Sequence, residues 1–203
     1  MENIKSSIPD DLKQCVSFHG HLCPGLVYGY LIAKQAINLL DLKRSADEEV
    51  VAVCENDSCA VDALQVLLGT TAGKGNLIIK DYGKNAYTIF NRSNEKAYRF
   101  SRTDYYKYEG EYKDEFALLE KAVSSGSAGE QEKWRHKLLK ANDLLLKYFE
   151  EVFLTSQTKC AMPPFAPLAR SESCEKCGEM TMATKMSADE NGKLVCIPCS
   201  TET

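Results

Sequence analysis

The chain has 203 residues, of which 44% are hydrophobic and 27% charged. That balance excludes a disordered chain and fits one or two packed domains. Twenty-five basic against twenty-nine acidic residues leave a net charge of −4, which argues against a general binder of nucleic acid or anionic membrane.

No uncharged apolar run approaches the roughly 18 residues of a membrane span. The first twenty residues carry Lys5, Asp10, Asp11 and Lys13 and no apolar core of a secretory signal. The expected location is the cytoplasm. In that reducing compartment, nine cysteines read as ligands or nucleophiles rather than disulfides.

Taken in chain order, Ser7-Ile8-Pro9-Asp10 reads as a helix start. Ser7 is the cap, Pro9 suits the first turn and Asp10 faces the positive end of the dipole. This helix is predicted to reach Phe18. His19 to Gly25 is an irregular loop, and Pro24 then opens a helix to about Leu40 with one apolar side. Val50 to Cys54 (VVAVC) has the β-branched character of a buried strand. Glu55 to Ser58 is turn and cap, and a helix is predicted over Cys59 to Leu68.

Gly69 to Gly75 (GTTAGKG) is glycine-rich, but it has three residues between glycines where a Walker A loop has four, and Gly75 where that loop has Ser or Thr. It also follows a helix and leads into a strand, the reverse of the phosphate-loop order. A helix C-cap and turn is expected, with an anion held by backbone N–H groups and Lys74 as the alternative. Leu77–Ile79, Ala86–Phe90 and Lys96–Phe100 read as a strand meander, so the fold class is α+β, a mixed helix and sheet core.

Tyr105, Tyr106, Tyr108 and Tyr112 read as a packed or partner-facing surface, or as a stacking platform. Helices are expected over Glu115–Val123 and Glu130 to about Leu154, separated by the small residues of Ser124–Gly129, with His136 solvated. The proline-rich stretch Ala161–Leu168 marks a linker. The expected organisation is a core over 1–160, a linker over 161–172 and a small module over 173–203.

The sharpest pattern is C-terminal. Cys174-Glu175-Lys176-Cys177 and Cys196-Ile197-Pro198-Cys199 are two C-x-x-C pairs with eighteen residues between them. Each supplies two thiolates on a tight turn, and Asn191-Gly192 marks a hairpin between them. Four thiolates leave no open coordination position, so a structural zinc is expected; an iron site uses the same ligands. Six acidic and three basic residues between Ser171 and Thr203 make nucleic acid a poor partner for this module.

The second pattern is His19-Gly20-His21 with Cys23 two positions on. In an extended loop, alternate residues share a side, so these three can converge. Cys23 precedes a helix, and Cys59, behind the capping residues Asp57 and Ser58, lies in the first turn of another; both helix fields favour thiolate. One shared site is the sharper reading, with Zn, Ni or Fe as the metal. The plainer reading makes Cys23 and Cys59 buried small residues. Cys15 and Cys54 read as core, and Cys160 has no assignment.

Phe18–Gly25 (FHGHLCPG), Glu55–Cys59 (ENDSC), the Gly69–Gly75 loop and the paired C-x-x-C motifs together resemble the E-subunit family of molybdenum or tungsten formylmethanofuran dehydrogenase. The resemblance implies an α+β core whose cleft holds His19, His21, Cys23 and Cys59, with Asp57 beside them. It also implies a C-terminal zinc ribbon and an intertwined homodimer. It makes the chain an accessory of a molybdenum or tungsten oxidoreductase, whose pterin and redox centres sit on other chains, or a protein of metal handling. An enzyme using Cys59 or Cys23 with His19, or a metal-activated water, is the alternative. A pure interaction module is the third reading.

Overall fold

The computed structural model describes residues 8–102 and 104–201, in two compact units, Met1–Phe165 and Ala166–Thr203. The predicted cap Ser7 lies outside the described residues.

In the first unit, α1 (Asp10–His19) starts directly behind Pro9, with Asp10 and Asp11 in its first turn. Pro9 therefore occupies the cap position rather than the first turn. Gly20, at φ 95°, ends the helix in a left-handed conformation that side chains resist. α2 (Pro24–Leu40) has Pro24 at its first position, where the missing N–H costs nothing. Instead of one apolar side, α2 is buried almost all round. Val27, Ile32, Ala33, Ala36 and Leu40 join the main core, while Leu26 and Tyr30 pack with Leu12 and Cys15 of α1.

β1 (Val50–Cys54), α3 (Ala60–Leu68) and β2 (Leu77–Ile79) form a strand–helix–strand crossover in which β1 and β2 are parallel. This corrects the expected meander. The helix returns the chain to the starting end of β1, so β2 runs alongside it in the same direction. β3 (Ala86–Asn91), β4 (Lys96–Ser101) and β5 (Leu154–Gln157) complete an antiparallel remainder, in the order β2-β1-β3-β4-β5. Alternation decides the faces. Ala52, Cys54, Tyr87, Ile89 and Phe100 face the main core, whereas Val51, Phe90 and Ala97 form a cluster on the opposite side. Cys15 and Cys54 are fully buried core residues.

α4 (Lys113–Ser124) and α5 (Glu130–Leu146) form a helical hairpin. His136 is 9% exposed, stacked on Phe116 and bonded to the Glu120 carboxylate, so the solvated position expected for it is wrong. Glu120 lies on α4, and only the hairpin brings it to the ring. The predicted single helix to Leu154 also stops early. Lys147 and Tyr148 are extended, a short α6 (Phe149–Val152) follows, and the chain then enters β5. The break turns Phe149 onto Phe100 and buries Phe153 against Tyr28, burial that a straight helix forgoes.

The glycine loop is a helix terminus. Gly69 caps α3 at φ 71°, and the Lys74 ammonium donates to the Ser45 and Ala46 carbonyls at 3.1 and 3.3 Å. Its charge is thus spent on the backbone.

The second unit holds two hairpins, β6 (Ser171–Ser173) with β7 (Met180–Met182) and β8 (Met186–Ala188) with β9 (Leu194–Cys196), then α7 (Ile197–Thr201). Gly178 and Gly192, both at φ 78°, make the turns that follow Cys177 and Asn191.

Candidate metal centres

Hairpin geometry delivers the four C-terminal thiols to one point. The Gly178 N–H donates to the Cys174 carbonyl at 2.8 Å, and the Cys174 N–H to the Glu179 carbonyl at 3.0 Å, which closes the first turn. The Cys196 N–H donates to Cys174 Sγ at 3.3 Å and ties the second pair to the first. All four sulfurs lie within 4.8 Å of one another. Zinc–sulfur bonds of ~2.3 Å at tetrahedral angles place sulfurs ~3.8 Å apart; Cys177 and Cys196 are 3.9 Å apart. The donor set therefore fits a tetrahedral ion. Backbone N–H groups of Cys177 and Cys196 hold the Cys174 thiol down to about 6, while the neighbouring sulfurs push the Cys177 and Cys199 thiols up, so the first thiolate forms at Cys174 and the others follow with the metal.

The second group is His19, His21 and Cys23, whose donor atoms also lie within 4.8 Å of one another. The structure assembles it differently from an alternating loop. His19 is the last residue of α1, Gly20 reverses the chain, and Cys23 caps α2, its sulfur accepting from the Leu26 N–H at 3.4 Å. His19 and His21 have ring centroids 4.7 Å apart. His21 is exposed and Cys23 is 5% exposed, so the group opens to solvent on its histidine side.

His19 is oriented from α3. Its Nδ1 lies 2.7 Å from Asp62 Oδ2, and its Nε2 faces Cys23 Sγ at 3.6 Å. A carboxylate only accepts, so the neutral ring carries its proton on Nδ1 and turns its Nε2 lone pair to the cysteine. A tetrahedral zinc with one nitrogen and one sulfur ligand separates them by about 3.5 Å, close to the distance here. Gln65 Nε2 donates to the other Asp62 oxygen at 3.1 Å. Burial pushes the Cys23 thiol up, with Cys59 adding to the effect and the Leu26 N–H opposing it. Burial and the charges of His19 and Lys137 push His21 down, toward the neutral form that ligates.

Cys59 occupies the cap position of α3 rather than its first turn. It neighbours Cys23 but falls outside the mutually close donor set. Asp57 is exposed and also outside it. Cys160 is exposed at the far end of the unit's chain, bonded to Thr158.

Sequence reasoning passed over Asp62, although it is the one charged residue in the helix AVDALQVLL. It also passed over Asn56 and Tyr87. Asn56 donates to the Lys84 carbonyl at 2.6 Å and accepts from the Ser58 N–H at 3.1 Å and the Tyr87 hydroxyl at 3.0 Å. This buried knot sets the turn that launches α3. Tyr87→Phe is expected to cost about 1–2 kcal/mol by leaving Asn56 short of a donor; a denaturant titration checks it.

A mixed sheet carrying helices on one face, with paired thiol and imidazole clusters, defines an α+β protein equipped to hold metal. The sequence model described as "FmdE, Molybdenum formylmethanofuran dehydrogenase operon" matches residues 18–155. The chain belongs to this FmdE family. It is 31% identical over 196 residues to a "Probable S-adenosyl-L-methionine-binding protein" of Archaeoglobus fulgidus; the alignment covers 91% of this chain and 52% of that protein. The chain thus spans about half the length of that relative. The fold is similar to a crystal structure of a tungsten formylmethanofuran dehydrogenase FmdE-like protein from Syntrophus aciditrophicus, at 17% identity and TM-score 0.58. That match covers 96% of this chain and 92% of the other. Among the described residues, no helix is long and apolar enough to cross a membrane.

Proposed function

We propose that this chain is a cytoplasmic metal-binding accessory protein that serves a molybdenum or tungsten oxidoreductase or metal handling, and that it works as a homodimer. Cys174, Cys177, Cys196 and Cys199 hold a structural zinc. His19, His21 and Cys23, with Cys59 adjacent, hold a second ion of the zinc, nickel or iron type. The observation that carries this reading is the Asp62–His19–Cys23 alignment, in which a carboxylate orients an imidazole toward a neighbouring sulfur.

Three protein ligands leave a coordination position open, as exchangeable and catalytic sites require and structural sites do not. An ion there would supply a Lewis acid facing solvent. The residues do the rest. Asp62 fixes the tautomer of His19, α2 presents the Cys23 sulfur from its first turn, and exposed His21 admits or releases the ion.

The purified protein is expected to carry more than one metal per chain. Cys23→Ser or His19→Ala should remove one equivalent and spare the other, while Asp62→Asn should weaken the cleft ion about 10–100-fold. Elemental analysis and competitive chelation read both effects. A single ion that survives Cys23→Ser rejects the reading.

The same alignment supports a second reading, an enzyme in which His19 Nε2 takes the Cys23 proton and frees a thiolate nucleophile, Cys59 being the alternative nucleophile. Rapid, selective iodoacetamide labelling of Cys23 or Cys59 at neutral pH in metal-free protein would favour it. Uniformly slow labelling would count against it.

A further inference from the structure

A cavity lies in the first unit, away from His19, His21 and Cys23. It measures about 580 Å³ and opens between α2, the end of β4 and the α6–β5 corner, a size suited to a small organic molecule. Its apolar walls include Leu39, Tyr98 and Phe153.

Two donors on its lining have unused capacity. Tyr28 is 8% exposed, and its hydroxyl is the buried side-chain polar atom without a hydrogen-bond partner among the described residues. Native interiors seldom leave such a group unpaired, and each instance asks for an explanation. The Arg102 guanidinium lies 4.6 Å over the Tyr28 ring. Its Nη2 donates to the Asp104 backbone carbonyl at 3.3 Å, and no carboxylate pairs with it among the described residues.

A second cation stands close by. The Lys140 ammonium sits 4.5 Å over the ring of Tyr106, another wall of the cavity. It too makes no ion pair among the described residues. Burial holds it below the usual lysine range, with the charge of Glu120 opposing and that of Arg102 adding to the effect.

The lining also carries four acids, Asp104, Glu109, Glu150 and Glu151. Glu109 accepts from Lys147 at 2.6 Å, Glu151 from the Tyr148 N–H at 2.6 Å and Asp104 from the Tyr105 N–H at 2.7 Å. What remains unsatisfied is the donor capacity of the Tyr28 hydroxyl and of the Arg102 fork, beside the apolar walls.

We propose that this cavity binds a small organic carboxylate with an aromatic-sized apolar body. The carboxylate accepts from the Arg102 fork and the Tyr28 hydroxyl, and the body lies against Leu39, Tyr98 and Phe153. A guanidinium offers two parallel N–H bonds to a planar carboxylate, and the phenol supplies a third donor to the same oxygens. A bare inorganic anion would leave the apolar walls unused, and a cation would meet Arg102.

The test is titration calorimetry on the full, metal-loaded chain with sodium benzoate as probe. Benzamide is the neutral isostere, benzylamine the cationic one and inorganic phosphate the anion without a body. Benzoate is expected to bind at least ~10-fold more tightly than each of these. Arg102→Met should weaken it about 10-fold or more, Arg102→Lys less, and Tyr28→Phe several-fold. Metal content and thermal midpoint of each variant establish that it is folded and loaded, so this result stands or falls apart from the metal reading. No benzoate binding, equal affinity for benzamide, or folded Arg102→Met and Tyr28→Phe variants that bind as before would each overturn the proposal. Phosphate competing as well as benzoate would overturn the apolar part of the ligand.

Discussion

Stripping the ion from the C-terminal unit, by chelator or by Cys174→Ser, is expected to unfold that unit outright. Its buried apolar cluster consists of Cys174, Val195 and Cys196, with Met186 and Cys199 packed against them, so most of that core is the ligand set itself. Its sheets have two strands each and its strands three residues each. Domains below about 40 residues rarely fold without a metal or disulfides, and here the cysteines are free thiols. Structural zinc binding is worth about 10–16 kcal/mol at neutral pH, and that energy is folding energy. Hydrogen exchange should therefore show amides of residues 171–196 losing protection together when the ion leaves. If they stay protected in metal-free Cys174→Ser protein, the four sulfurs are not a folding centre.

The second large effect is expected at Gly29. A Cβ built there falls 2.1 Å from the Ala60 carbonyl oxygen and 2.7 Å from its carbonyl carbon and Cα. Those are backbone atoms and cannot swing aside, so Gly29→Val must push α2 and α3 apart. The cost is expected to be about 3 kcal/mol or more, read as a lower denaturant midpoint. The damage should reach the thiols, because Cys23 and Cys59 sit at the starts of the two helices that cross here. Gly25→Ala is the milder probe. Its Cβ would meet the Cys59 Cβ at 2.9 Å, a longer contact than those at Gly29 but one that the start of α3 must shift to relieve. It should cost ~1 kcal/mol while disturbing cleft metal more than stability.

These two glycines show where sequence reasoning stops. The period of apolar residues places α2 over Pro24–Leu40, and the β-branched run places β1 over Val50–Cys54, because both signals are local. The paired C-x-x-C spacing is local too, and the four sulfurs do converge. The His19, His21 and Cys23 grouping is legible because all three lie within five residues of chain. What a local pattern cannot carry is a contact made across the fold. Gly29 against Ala60, Asp62 against His19 and Tyr87 against Asn56 all join separate elements. The break at Lys147 escaped notice for the same reason. Its cause is an aromatic pocket formed by Phe100 and Tyr28, far away in sequence, and the local helical period runs straight through it. His136 was misplaced because its carboxylate partner is on another helix.

The capping of α2 by a sulfur has a consequence for how firmly a cleft ion is held. Most helices begin on an oxygen that has no other duty, whereas here the Leu26 amide and any bound ion draw on the lone pairs of the same atom. A thiolate shared in this way is a weaker electron donor to its metal than an unshared one. With an ion bound there, the first turn of the helix would set the grip, and fraying of that turn would loosen the ion.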